Sequence, residues 1–148
     1  MASACRLSSA ARIASPGTVS NEPVTTVDFY PTILELASAQ GASSDTARLE
    51  GKSLVPVMRD SAAKLDRDDL FWRYPHSHPG GAKPYAAIRA RDWKLIEFFD
   101  GRRAELYQLS TDIGESKDLA ATHPEKVAML RSRLHAWQKA VDAQIPVE

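Results

Sequence analysis

The residues best suited to chemistry in this 148-residue chain are four histidines, one cysteine and a short run of carboxylates. His76 and His78 form an H-x-H pair inside a Pro/Gly-rich loop, Pro75 to Pro84. On a strand such a pair faces one side and can chelate zinc. On a loop its geometry is undefined, and zinc needs a third and usually a fourth ligand. His123 opens a helical segment and His135 lies within it, and neither shows metal spacing to the pair. Asp66, Asp68 and Asp69 cluster around Arg67. Paired carboxylates can do acid/base work, but a run placed before a strand reads first as a solvated surface. Arg73 alternates with the aromatics of its strand, which also reads as solvated. Cys5 has no neighbouring histidine and no ordered electropositive niche of the kind a reactive thiol needs. There is no G-x-S-x-G, G-x-x-x-x-G-K, G-x-G-x-x-G or H-E-x-x-H. The residues alone form no catalytic constellation.

The elements that must position them follow from composition and period. Nineteen Lys+Arg balance nineteen Asp+Glu, so the net charge is zero. That argues against a nucleic-acid partner and against a polybasic membrane anchor. A 43% hydrophobic and 26% charged composition is globular. The apolar runs are only a few residues long, where a membrane-spanning helix needs roughly 20. One cysteine permits no intrachain disulfide. Residues 1–20 are Ala/Ser-rich and read as a disordered segment, with a transit-peptide-like composition but no secretory apolar run. Residues 21–148 read as one subdomain.

Val27, Tyr30, Leu34 and Ala37 recur at helical spacing, which predicts a helix from about Asp28 to Ala39. Thr25 and Asp28 resemble a capping box at its start, Pro31 sits in its first turn, and Gly41 stops it. Leu54 to Met58 make one helical turn limited by Pro56. Four strands follow: Leu70–Tyr74, Tyr85–Arg89, Trp93–Phe99 and Glu105–Leu109. Connections this short make them an antiparallel meander. Thr122-His123-Pro124-Glu125 is a helix start of the capping-box type. The helix runs to about Asp142 with Val127, Leu130, Leu134, Trp137 and Val141 as its apolar stripe, and Lys126, Arg131, Arg133 and Lys139 opposite. The fold class is therefore α+β: a small antiparallel sheet of about four strands packed on a long C-terminal helix, plus an N-terminal helix.

Three pieces, in this order and spacing, resemble the C-terminal part of type I sulfatases, the arylsulfatase-like enzymes of the alkaline phosphatase superfamily. The first runs from Glu22-Pro23-Val24 through Asp28-Phe29-Tyr30-Pro31-Thr32 to Ala37, followed by Leu49-Glu50-Gly51-Lys52-Ser53-Leu54. The second is Tyr85-Ala86-Ala87-Ile88-Arg89 with Trp93-Lys94-Leu95-Ile96. The third runs from Glu105-Leu106-Tyr107-Gln108-Leu109 through Asp112-Ile113-Gly114-Glu115 to Asp118-Leu119-Ala120. The resemblance covers roughly residues 15–145. It implies a subdomain attached to a large α/β catalytic domain, with the first helix at the seam between them.

The resemblance also implies what this chain lacks. Sulfatases use a formylglycine made from Cys or Ser in C-x-P/A-x-R, and Cys5-Arg6-Leu7-Ser8-Ser9 departs from it at Leu7 and Ser9. They bind calcium through an early Asp-Asp pair and a later Asp-Asn pair. Asp68-Asp69 is misplaced for the first, and no Asp-Asn occurs. No catalytic or metal residue is therefore assigned here, and the calcium and formylglycine are expected on a missing domain. The expected substrate-binding residues are Arg73, His76 and His78, because the family shows a similar aromatic-x-Tyr-Pro-His run and cationic and imidazole donors suit a sulfated sugar or aryl group. The first reading is a sulfatase C-terminal subdomain, inactive alone and partnered by a separate catalytic domain. The second is a stand-alone module binding carbohydrate or protein, and the third a metal hydrolase built on His76 and His78. The first predicts that Val27, Tyr30, Leu34 or their neighbours are exposed. Most of the family works outside the cytoplasm, but residues 1–20 show no export signal and leave the compartment open.

Overall fold

The computed structural model describes residues 17–37, 50–77, 83–100 and 103–143. Cys5, Gly41, His78 and Gly101 lie outside these, as does the segment expected to be disordered except for residues 17–20, which are exposed. The chain divides into two compact units, one ending at Arg67 and one beginning at Asp68.

The first unit holds a single 3-10 turn, Thr26–Asp28, leading into α1, Phe29–Leu36, and then α2, Val55–Arg59. The start of α1 matches the pattern: the Asp28 carboxylate accepts the Thr25 N–H at 2.8 Å, and Pro31 stands in the first turn. The helix ends at Leu36, earlier than its apolar spacing suggested. Pro56 does not limit α2. It occupies the first turn, where a missing N–H is harmless, and the helix stops where Asp60 turns extended.

Asp28 is fully buried. Its carboxylate accepts the Thr25 amide, the Lys52 amide at 2.9 Å, and both Arg67 Nη atoms at 2.7 Å. Arg67 also donates to the Pro23 carbonyl at 2.7 Å. One turn on, the Thr32 hydroxyl donates to the Asp28 carbonyl at 2.6 Å and accepts the Leu54 N–H at 2.8 Å. The Lys52 amide reaches Asp28 only because Gly51 lies against the 3-10 turn. A Cβ at Gly51 would stand 2.0 Å from the Val27 carbonyl oxygen. Arg67 is thus not part of a solvated run, as its acidic neighbours suggested. It is the counter-charge of a buried carboxylate.

The second unit is α+β. β1, Asp69–Tyr74, β2, Tyr85–Ala90, β3, Trp93–Phe98, and β4, Ala104–Gln108, form an antiparallel sheet in sequence order. α3, Pro124–Ala140, packs Leu130 and Leu134 onto Ala86, Ile88, Ala90, Leu95 and Leu106. Phe71 stacks on Trp137 at 4.9 Å between ring centroids. The capping box expected at Thr122 does not form. His123 is the cap residue, and the Thr122 hydroxyl donates to the Leu119 carbonyl instead. Nor are Arg131 and Arg133 on a solvent face: Arg131 pairs with Glu97 at 2.9 Å, and Arg133 pairs with Asp69. Among the described residues, no helix is long and apolar enough to cross a membrane.

Alternation along the strands puts a second row, including Ala87, Ile96, Tyr107 and Leu109, on the sheet face away from α3. Lys94 lies on that face and donates to both Glu115 oxygens at 2.9 Å. Both side chains are buried. Two further carboxylates fold the segment after β4. Asp112 accepts the Ser116 and Lys117 amides, while Asp118 accepts the Leu106 and Ala120 amides.

Two predictions follow from these charges. Burial pushes the Asp28 carboxyl up, but Arg67 and the Lys52 and Thr25 amides outweigh it, so its pKa lies below the ordinary 3.8. A lowered folded-state pKa contributes stability that is complete above the unfolded value and is lost as pH falls through the folded one. Urea denaturation at pH 7 should show Asp28→Asn destabilised by about 3–5 kcal/mol, because the Arg67 charge is left buried. Below about pH 4 the gap between wild type and variant should narrow, and a gap independent of pH would refute the assignment. Lys94→Met should also cost about 3–5 kcal/mol. Adding Glu115→Gln should recover part of that loss, since no charge then stays buried alone; strictly additive losses in the double variant would contradict the pairing.

Candidate functional site

The loop end of the sheet carries the residues expected to contact a ligand. Arg73 lies near the end of β1, opposite Ala86 and half-buried. Alternation puts it on the α3 face with Phe71. His76 lies just past the strand and is exposed, its ring edge-on to Tyr74 at 6.1 Å. Tyr74 belongs to the opposite face, so Arg73 and the His76–Tyr74 pair are distributed over the two sides of the sheet. His78 lies outside the described residues.

The register creates a feature that the spacing of residues did not reveal. Tyr85 is the cross-strand neighbour of both Tyr74 and Phe98. The three rings make a row, with centroids 5.7 Å apart for Tyr74–Tyr85 and 6.3 Å for Tyr85–Phe98. Arg103 closes the row, its guanidinium 4.1 Å above the Phe98 ring. A long β1–β2 loop hid this pairing, since register across such a loop is not set by turn type. The only usable signal was an aromatic at each strand end.

The charges around the row are largely matched. Lys83 pairs with Asp100. That hydrogen bond holds the Asp100 carboxyl below its usual range, against a smaller opposing effect of desolvation. Arg103 donates to Glu105 at 2.9 Å, and Glu105 accepts the Tyr107 hydroxyl at 2.9 Å. Burial, then that bond to Glu105, pushes the Tyr107 phenol well above its ordinary value. A half-buried aromatic row with a guanidinium at one end and an imidazole at the other suits a ring-shaped, anionic ligand. It offers no nucleophile with an adjacent base. Among the described residues, no group of three or more His, Cys, Asp or Glu side chains is arranged to hold a metal ion.

The chain matches the family described as N-sulphoglucosamine sulphohydrolase, C-terminal, over residues 8–141. It is 31% identical over 137 residues to a sulfatase of Formosa agariphila, covering 84% of this chain and 25% of that protein. It is 29% identical to an N-acetylglucosamine-6-O-sulfatase of Bacteroides thetaiotaomicron, covering 89% of this chain and 24% of that one. Arylsulfatase K of Danio rerio is 30% identical over 70% of the chain. Among solved structures, one in complex with its substrate D-glucosamine-2-N,6-O-disulfate superposes with a TM-score of 0.62 at 26% identity. The match covers 80% of this chain and 24% of that one. The chain thus spans about a quarter of the length of these relatives. It belongs to the sulfatase family, as a C-terminal domain of the N-sulphoglucosamine sulphohydrolase type.

Proposed function

We propose that this chain is the substrate-facing C-terminal subdomain of a sulfatase, that it docks on an α/β catalytic domain through α1, and that it does not hydrolyse sulfate esters by itself. The carrying observation is the inverted burial of α1. Its polar residue Thr32, with Asp28 just before it, is buried, while Val27, Phe29, Tyr30, Ile33 and Leu36 are 40–62% exposed. A helix normally buries its apolar stripe. An outward apolar stripe of this kind is what an interdomain contact needs, and relatives about four times as long have the further domain to supply it. A stand-alone module would carry polar residues there. The catalytic domain can belong to the same polypeptide or to another.

In sulfatases, calcium and a formylglycine supply the electrophile-binding and nucleophilic chemistry. The residues in this chain do not fit either group. Asp69 is held by Arg133, and Asp68, in loose 3.7 Å contact with Arg91, belongs to no group of three or more possible metal ligands among the described residues. Asp28 is saturated by four donors. Cys5 lacks the Pro/Ala and Arg of the modification motif. The part left to this chain is binding: the Tyr74–Tyr85–Phe98 row offers ring faces to a sulfated sugar, with Arg103, Arg73, His76 and His78 as donors to its sulfates.

Purified chain should show no turnover of p-nitrophenyl sulfate, with or without added calcium. Turnover that persists in Cys5→Ala would overturn the reading. The exposed stripe should bind the dye ANS, and Tyr30→Asp with Ile33→Asp should abolish that signal while leaving the thermal midpoint within a few degrees, as expected of exposed positions. A large loss of stability in that variant would show that the stripe is packed rather than free to dock.

A further inference from the structure

The opposite end of the sheet carries a second cleft, of about 310 Å³. It lies between the β2–β3 turn and α3, and its lining includes Asp68, Arg91, Trp93, Lys126, Met129 and Arg133. Trp93 is half-exposed and opens β3. The Lys126 ammonium sits 5.2 Å from the centre of its ring, and the His123 ring lies 5.4 Å away. Arg91 holds a left-handed conformation, φ 54°, at the turn, with its side chain 85% exposed. Its contact with Asp68 is long, at 3.7 Å, and Asp68 is itself 75% exposed. Such a pair contributes little, so Arg91 can turn to a ligand at small cost. Lys126 has no ion pair among the described residues.

Arg133 is held by Asp69 and Arg91 only loosely by Asp68, so Lys126 and Arg91 are the cations this cleft can offer a ligand. Its floor is apolar, from Ala90, Met129 and Leu130. An indole face beside an apolar floor takes the C–H face of a sugar ring. Guanidinium and ammonium groups at its rim take sulfate oxygens. At the lower end of ligand-pocket sizes, roughly 300–1,000 Å³, the cleft holds a short part of a longer chain.

We infer that this cleft is a second binding site for sulfated saccharide, separate from the loop end. β3 is six residues long, so Trp93 and Phe98 lie about 17 Å apart along it, and their positions put them on opposite faces. The cleft therefore cannot be an extension of the aromatic row. The choice of a sulfated sugar over another polyanion rests on the function proposed above. Nucleic acid is disfavoured by the few cations and the absence of a basic stripe.

Calorimetric titration of the full chain with a heparin-derived hexasaccharide tests the site, against its desulfated counterpart and a single-stranded DNA of similar charge. Binding should fall about tenfold or more in Arg91→Glu/Lys126→Glu and weaken with added salt. The desulfated sugar should bind at least about tenfold more weakly, and DNA no better than the desulfated sugar. Because the loop end is proposed to bind the same sugar, Arg103→Glu should remove only a separate loop-end event from the isotherm, and Lys139→Glu, exposed in the last turn of α3, should leave the cleft's binding in place. Three results would overturn the proposal: unchanged affinity in the double charge reversal, equal affinity for DNA, or no binding of the sulfated hexasaccharide at all. Hexasaccharide binding lost only in Arg103→Glu would remove the second site while preserving the proposed role of the loop end.

Discussion

A single buried carboxylate organises the first unit. Asp28 cannot remain ionised away from water unless donors replace the lost hydration. Four of them converge on it, from Thr25, Lys52 and the two Nη atoms of Arg67. Lys52 and Arg67 tie distant pieces of chain to the start of α1, and Gly51 is the residue that lets the Lys52 amide come close enough. The consequence reaches the helix itself. Because the polar contacts of Asp28 and Thr32 point inward, the other side of the helix must point outward, and Tyr30 and Ile33 become a surface. The exposed apolar face and the buried ion pair are two sides of one helix orientation.

The same logic explains why three scattered sequence pieces carry the family resemblance. Glu115 and Lys94 come from two of those pieces and meet as a buried pair. Asp112 and Asp118 lie in the third and hold the chain after β4 by capping backbone amides. Residues that carry the family resemblance are thus structural contacts. They specify how the subdomain folds back on its sheet, and they say little about the reaction the whole enzyme performs.

The elements themselves were readable because their periods are strong. Leu130 and Leu134 lie on a 3.6-residue stripe, the strands are bounded by turn residues, and the short β2–β3 and β3–β4 connections force antiparallel pairing there. Side-chain partners were not readable. Arg131 and Arg133 look like a solvent face from the helix alone, yet Glu97 and Asp69 on neighbouring strands claim them. Thr122 has the right type and spacing for a cap, but the Leu119 carbonyl takes its hydroxyl. Arg67 sits among aspartates that suggest solvent, while its partner lies 39 residues earlier. For the arginines the deciding group is brought in by tertiary packing, which no local window contains; for Thr122 it is a nearby backbone carbonyl that side-chain types do not reveal. The candidate site shows the same limit: Arg73 and His76 stood out by type, whereas the Tyr74–Tyr85–Phe98 row depends on a register set by the assembled sheet.

The division of labour within the subdomain follows from how its carboxylates are used. Acid/base or metal chemistry needs an ionisable group whose lone pairs are free when substrate arrives. Asp28, Glu97, Glu115 and Asp118 all hold guanidinium, ammonium, imidazole or amide donors in structural contacts. Freeing Asp28, Glu97 or Glu115, whose side chains are buried, would leave a partner unsatisfied, so none of the three can serve a reaction without loosening the fold. The cations at the rims are under no such constraint. Arg91 and Arg103 are exposed and held by contacts that exchange readily with solvent or ligand. Cations held as loosely as Arg91 and Arg103 are available to an anion, whereas the buried carboxylates and their own partners, Arg67 and Lys94 among them, are committed to stability.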